Sequence, residues 1–226
     1  MSFILNIDTA SEKAHVSFAK DGHILHTLSS ETQKEHASFL QTAIAKLIRE
    51  SGLFLKDLDA VAITSGPGSY TGLRVGMASA KGLCYALKKP LITISTLEVL
   101  TDAALQAFPD MGEPLLFCPM IDARRMEVFT AMYKTDLTLH SSASTLVLNE
   151  YSFADILSKN KVLFFGSGST KWKMICKQIN AIFLDVLITP ESINRRSYCF
   201  YLQNKFTDLP YSEPVYIKDF QGLTRN

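Results

Sequence analysis

The residues with the clearest chemical potential lie in one run, Ile-Thr-Ser-Gly-Pro-Gly-Ser-Tyr-Thr-Gly-Leu-Arg, from Ile63 to Arg74. Gly66, Gly68 and Gly72 allow positive φ and close backbone approach, and Pro67 fixes one φ. Residues 58–63 before the run read as a buried strand, and residues 73–87 after it read as a helix. Such a corner either offers backbone N–H groups to an anion or acts as a rigid bend that aims a helix at a partner. Nucleophilic chemistry finds less support. Ser69 in Gly68-Ser69-Tyr70 lacks the G-x-S-x-G elbow spacing. The four cysteines form no C-x-x-C pair and no Cys/His ligand spacing, and Cys84 reads as packing.

The elements that must position this corner follow from periodicity. Residues 3–8 form a short strand ending in Asp8. Residues 14–20 alternate as a second strand, Asp21-Gly22 signals a hairpin, and residues 23–29 return as a third. This opening meander, with no G-x-G-x-x-G after the first strand, weakens a dinucleotide-binding reading. A helix over about 36–51 carries the apolar stripe Phe39, Leu40, Ala43, Ile44, Leu47 and Ile48, and Gly52 stops it. In the helix after the corner, Gly72, Gly76, Ala80 and Cys84 fall at successive i+4 positions. This small-residue ridge would let another helix approach closely.

Lys88-Lys89-Pro90 ends that helix, and Ser95-Thr96-Leu97-Glu98 matches a capping box for the next. Residues 108–114 are the expected boundary between two lobes, 1–108 and 109–226. The second half repeats the opening: a strand ending in Asp122, a hairpin through Ala123-Arg124-Arg125, then a third strand toward Leu148. Gly166-Ser167-Gly168-Ser169 follows a short strand and opens a helix expected to run through Trp172, Ile175 and Ile179. A helix from about Ser192 to Phe206 comes last.

Composition bounds the function. The chain has 226 residues, 47% hydrophobic and 20% charged, with a formal net charge of +1. That balance excludes a strongly basic nucleic-acid binder, so any RNA contact must come from a local patch or be shared with a partner. Lys171, Lys173, Lys177, Arg195 and Arg196 are cationic helix positions that read as solvated, or together as an RNA-facing patch. Scattered cysteines, no leader-like start and no long apolar run lead to the expectation of a cytoplasmic protein with no membrane association.

Two lobes, each opening with strand, Asp-containing turn and hairpin, suggest the α/β fold of actin, hexokinase and the Hsp70 ATPase (the ASKHA fold), here with mixed sheets and a reduced second lobe. A closer resemblance rests on Ile4-Leu5-Asn6-Ile7-Asp8-Thr9-Ala10, on Thr64 to Arg74, on Asp122-Ala123-Arg124-Arg125-Met126-Glu127-Val128-Phe129 and on Glu213-Pro214-Val215-Tyr216-Ile217. These segments resemble the bacterial TsaB (YeaZ) family, a paralogue of TsaD, which transfers a threonylcarbamoyl group to the tRNA adenosine next to the anticodon. A TsaD-like enzyme is expected to carry a His-x-x-x-His metal pair on the first helix. Here His36 is followed four residues later by Leu40, and His15, His23, His26 and His140 form no such pair.

The resemblance therefore implies a non-catalytic accessory subunit with no catalytic residue and no metal. It implies docking on TsaD as a heterodimer, joined by TsaE once TsaD is bound, with tRNA reached through the complex and a homodimer when alone. The expected interface is His36, Phe39, Leu40, Ala43, Leu47, Gly72, Leu73, Gly76 and Ala80 on two helices. The superfamily's cleft places Asp8, Thr9, Gly66, Gly68, Ser69 and Asp122 nearest a nucleotide, with ATP or ADP expected only at an interface shared with the partner. Asp8 reads either as a metal-water carboxylate or as a strand-end residue accepting turn N–H groups. The glycine-free run Asp8-Thr9-Ala10-Ser11-Glu12 favours the second. Asp122 reads either as a base or as an ion-pair partner of Arg124 and Arg125, with the pair favoured. The rival function is an autonomous ASKHA-type small-molecule kinase or a metal-dependent hydrolase of the kind once labelled glycoprotease.

Overall fold

A computed structural model describes residues 1–30, 36–109 and 115–217, and within these the side chains of 36 and 37 are outside the description. The segment from Phe220 to Asn226 lies outside the described residues. The chain builds β1 (Phe3–Asp8), β2 (His15–Lys20), β3 (His23–Ser29), α1 (His36–Ser51), β4 (Ala60–Gly66), α2 (Tyr70–Leu87), β5 (Leu91–Ser95) and α3 (Thr96–Ala107). It continues with β6 (Leu115–Asp122), β7 (Glu127–Tyr133), β8 (Leu139–Val147), α4 (Ala154–Leu157), β9 (Lys161–Phe165), α5 (Ser169–Lys173), β10 (Ala181–Phe183) and α6 (Pro190–Leu202).

The two five-stranded sheets have orders β3-β2-β1-β4-β5 and β10-β9-β6-β7-β8. Each starts as an antiparallel meander, and each then adds two parallel strands beside its first. They are thus copies of one topology, as the paired Asp-ended strands suggested. The difference lies in the crossovers: α1 and α2 have 16 and 18 residues, whereas α4 and α5 have 4 and 5. The helix predicted through Ile175 and Ile179 ends at Lys173, and Ile179 is left exposed.

Both faces of each sheet are covered, which is why the central strands read as continuous apolar runs. On β1, Leu5 and Ile7 face α1 and α2, while Ile4 faces α3 and α6. On β6, Leu115 and Phe117 face α3, while Leu116, Cys118 and Met120 face Trp172 of α5. Alternation with period two sorts these side chains between layers. Helices α3 and α6 therefore form a middle layer between the sheets.

Local chemistry sets most boundaries. Asp21 and Gly22, both left-handed (φ 48° and 80°), make the β2–β3 turn, and Gly52 (φ 67°) ends α1. Helix α6 starts earlier than its apolar pattern suggests, because Thr189 caps Ser192 N–H and Pro190 takes the first position. The capping box expected at Ser95–Glu98 does not form. Glu98 is drawn instead to the guanidinium of Arg196 (2.5 Å), and the Ser95 side chain makes no cap bond. Tertiary ion pairing outcompetes the local cap here.

Arg195 and Arg196 are thus not a solvated cationic face. Arg195 grips Asp102 of α3 (Nε 2.8 Å, Nη2 2.7 Å), and the pair ties α6 to α3. Burial pushes the Asp102 carboxyl pKa up, and the Arg195 guanidinium opposes it. Arg195→Met removes that opposition, so the folded-state pKa rises further above the unfolded value. A carboxyl raised in this way penalises the folded state above its folded pKa, and the penalty fades as pH falls toward the unfolded pKa. The variant is expected to lose about 2 kcal/mol at neutral pH. Its deficit should shrink on going down to about pH 4, read as urea midpoints across pH. A deficit independent of pH would mean that Arg195 acts through packing alone.

Helix α6 also closes a buried polar network on the first sheet. Ser197 Oγ donates to Asn6 Oδ1 (2.5 Å), and Asn194 Nδ2 donates to the Gly22 carbonyl (2.6 Å). The end of the chain is thereby built into the first half.

Candidate functional site

Three places bear on function: the β1–β2 turn with the glycine corner, the β6–β7 turn, and the outer face of α1 and α2. At the first, Asp8 is fully buried. Its Oδ1 accepts the Ala10 N–H (2.9 Å) and the Thr64 hydroxyl, and its Oδ2 accepts the Ser11 hydroxyl (2.9 Å). Thr9 Oγ1 donates to the Gly72 carbonyl (2.7 Å), and the Ser69 N–H donates to the Ala10 carbonyl (2.8 Å). A Cβ on Gly68 would press on Ala10, with Ala10 Cβ at 2.9 Å. Turn and corner are zipped together, and Ser69 accepts the Gly72 N–H as the cap of α2.

The corner's other side is covered by the chain's own end. The Val215 N–H donates to the Ser65 carbonyl (2.7 Å). Gly66 sits at φ +118°, where a Cβ would meet the Val215 carbonyl at 2.7 Å. Lys81 Nζ holds this segment through the carbonyls of Pro210 and Ser212 (3.1 and 2.8 Å). The glycines serve internal close approach, and the corner sets the direction of α2.

At the second turn, Lys171 of α5 spends its ammonium on Asp122 Oδ1 (2.5 Å) and the carbonyls of Arg125 (2.9 Å) and Glu127 (2.5 Å). The Arg124 N–H also donates to Asp122 Oδ1 (2.8 Å). The pairing of Asp122 with the side chains of Arg124 and Arg125 is thus corrected: its cationic partner comes from α5, which tertiary folding brings alongside. The glycine turn that resembles an adenosine-side loop is packed as well. The Gly168 N–H donates to the Met120 carbonyl (3.0 Å), and a Cβ on Gly168 would strike Val128 Cγ1 at 2.7 Å. A metal–phosphate group does not fit these residues: one carboxylate is wholly enclosed, and the other is held by an internal cation.

The expected interface also needs correction. Leu40, Ala43, Leu47, Gly72, Leu73, Gly76 and Ala80 are all buried in the chain's own core. Phe39 packs partly against that core, and the side chain of His36 lies outside the described residues. A Cβ on Gly76 would overlap Thr9 Oγ1 and meet Ile63 Cδ1 at 2.8 Å. The ridge is small because β1 and β4 lie against it. Cys84 shares this packing, and burial pushes its thiol pKa up to about 11.

The other side of α2 carries a second small ridge, which sequence spacing contained and the first ridge masked. Ala78, Gly82 and Ala86 follow one another at i+4, Arg74 lies one step before them, and all four are exposed. A Cβ on Gly82 would meet nothing within 4 Å. On α1 the exposed residues include Gln41, Thr42 and Ala45, and Gln41 Nε2 donates to Ser79 Oγ across the two helices (2.8 Å). At one end Arg74 stacks over Tyr70 (4.1 Å to the centroid), and its Nε donates to the Tyr216 hydroxyl (3.1 Å). The exposed Tyr85 lies near the other. A face of small residues flanked by aromatics and an arginine is chemically suited to a close helix contact.

The family model for TsaD, tRNA N6-adenosine threonylcarbamoyltransferase, matches residues 27–194. The tRNA threonylcarbamoyladenosine biosynthesis protein TsaB of Escherichia coli is 26% identical over 96% of this chain and 94% of its own. The solved structure of YeaZ from Pseudomonas aeruginosa superposes with a TM-score of 0.74 at 25% identity, over 96% of this chain and all of that one. The Lmo2764 protein of Listeria monocytogenes, a candidate N-acetylmannosamine kinase, shares only the fold, at TM-score 0.53 and 9% identity over 90% of this chain and 99% of that one. The architecture is the ASKHA fold of the sugar kinases. The chain belongs to the TsaD family, in its TsaB (YeaZ) branch.

Proposed function

We propose that this chain serves tRNA threonylcarbamoyladenosine biosynthesis as a non-catalytic subunit that supports TsaD. The observation that carries this reading is the contrast between the two kinds of surface. Both turns of the would-be nucleotide cleft are filled by the chain's own groups, Thr64 and Ser11 on Asp8 and Lys171 on Asp122. The α1–α2 face, by comparison, is exposed, small and ready for two helices of a partner to form a four-helix bundle. In this reading TsaD docks on the exposed residues of α1 and α2, TsaE joins the pair, and tRNA is reached through the complex. The same face supports a homodimer in the partner's absence. The chain holds no nucleotide of its own, and ATP or ADP binds only where the partner contributes residues. Among the described residues no helix is long and apolar enough to cross a membrane, and we place the protein in the cytoplasm with its tRNA.

The test is reconstitution. The full chain is expected to co-purify with TsaD and to be required, with TsaE, for modification of a tRNA substrate. Calorimetry of the isolated chain with ATP and Mg²⁺ should show no binding in the micromolar range. Micromolar binding with turnover by the isolated chain would establish the autonomous enzyme instead.

A further inference from the structure

The segment Glu213-Pro214-Val215-Tyr216-Ile217 reaches the end of the outer α2 ridge and holds an arginine there. Val215 joins the glycine corner through the Ser65 carbonyl (2.7 Å), and Lys81 grips the Pro210 and Ser212 carbonyls. These anchors fix Tyr216, whose ring lies 5.4 Å from that of Tyr70 at 43°. Arg74 stacks over Tyr70 (4.1 Å to the centroid), and its Nε donates to the Tyr216 hydroxyl (3.1 Å). The side chain is thus ordered before any partner arrives, which lowers the entropy cost of using it in binding. With Nε committed, the two terminal nitrogens are the free end of the fork, and they have no partner among the described residues. A carboxylate meets such a fork through two parallel hydrogen bonds.

The charge around Arg74 has one sign. Helices α1 and α2 carry Lys46, Arg49, Arg74 and Lys81, and their one carboxylate is Glu50. Glu50 pairs with Lys46 of its own helix (3.8 Å), and Lys81 is held by the carbonyls of the terminal segment. Arg49, in the row Gln41, Ala45, Arg49 of α1, is exposed and pairs with no carboxylate of the described residues. Among the described residues of these helices, a second copy therefore has no free carboxylate to offer Arg74. It would bring arginine toward arginine, and like charges brought together oppose association. A partner that completes this face must supply acidic side chains.

We propose that Arg74 is the charged anchor of the α1–α2 face, that Tyr216 is its positioning residue, and that the docking helices of TsaD present a carboxylate to it. The inference rests on the docking reading above and adds the chemistry of the partner's surface. Arg74 stands one step of i+4 before Ala78, so the ion pair forms at the end of the helix contact and fixes its register. The terminal segment thereby acts in recognition: it aims an arginine that belongs to another element.

The experiment measures the affinity of the full chain for purified TsaD by calorimetry, from about 50 to 500 mM NaCl. Four chains are compared: the parent, Arg74→Gln, Tyr216→Phe and the double variant. Arg74→Gln is expected to bind at least about tenfold more weakly at low salt. The parent should lose affinity as salt rises, and Arg74→Gln should lose clearly less, a difference that a purely structural role would not produce. Tyr216→Phe keeps the ring and frees the guanidinium, so it should weaken binding by about threefold in the parent and leave Arg74→Gln unchanged. All variants should melt within about 2 °C of the parent. Equal affinity and equal salt dependence for Arg74→Gln and a TsaD-binding parent would overturn the anchor and leave the docking reading standing. Tyr216→Phe weakening binding equally in both backgrounds would overturn its positioning role. A self-associated form of the isolated chain that Arg74→Gln weakens, with TsaD binding unchanged, would assign the arginine to a second copy and overturn the proposal. A folded parent that does not bind TsaD at any salt would overturn the docking reading and this assignment with it.

Discussion

Gly76→Leu is expected to destabilise the fold by about 3 kcal/mol, the upper part of the range for overpacking a core. Gly76 lies against Thr9 and Ile63, so even a Cβ has no room, and the added isobutyl group must push α2 off β1 and β4. Moving α2 also stretches the bond from Thr9 Oγ1 to the Gly72 carbonyl. Leucine's better helix propensity returns roughly 1 kcal/mol and does not reverse the sign. Gly82→Ala on the opposite side meets open space, and should raise stability by about 0.5–1 kcal/mol. Urea denaturation of the two variants beside the parent reads both effects. Equal midpoints for Gly76→Leu and the parent would show that the inner ridge does not bear on β1.

Ala78→Glu is expected to leave the fold intact and to abolish co-purification with TsaD. Ala78 is exposed on the outer ridge, so a carboxylate there stays hydrated in the free chain. In a close helix–helix contact it would be buried without a partner. A single charge at the centre of such a face should cost at least about 2.7 kcal/mol of binding, or roughly 100-fold in affinity. Thermal melting should stay within about 2 °C of the parent, as for an exposed substitution. Ala80→Glu makes a poor probe of docking, because Ala80 is fully buried and a charge there attacks the core itself. Retained TsaD binding by a folded Ala78→Glu variant would move the docking site to another face.

Much of the architecture is legible in the sequence. Asp21-Gly22 announced the hairpin, the alternating and continuous apolar runs announced exposed and covered strands, and the repeated strand-Asp-hairpin order announced two copies of one topology. Asp8 as a strand-end residue serving turn N–H groups was also legible, because a glycine-free turn beside Glu12 is a poor cradle for an anion. These are local properties: they depend on φ preference, on period two or 3.6, and on donors and acceptors a few residues apart.

Side-chain partnership across long sequence separations was not legible. Glu98 sits at the right offset to cap α3, yet Arg196 takes it. Arg124 and Arg125 adjoin Asp122, yet Lys171 arrives from another element and neutralises it. A charge pairs with whichever opposite charge folding brings within reach, and sequence distance does not measure that. The two ridges of α2 show the same division most sharply. Spacing alone identified small residues at i+4 along this helix, and the TsaB resemblance pointed to a helix contact. Only the tertiary structure decided that Gly72, Gly76 and Ala80 are small to admit β1 and β4, while Ala78 and Gly82 face outward. A helix has a period but no intrinsic inside: the sheet it packs on determines which ridge becomes core and which is left exposed.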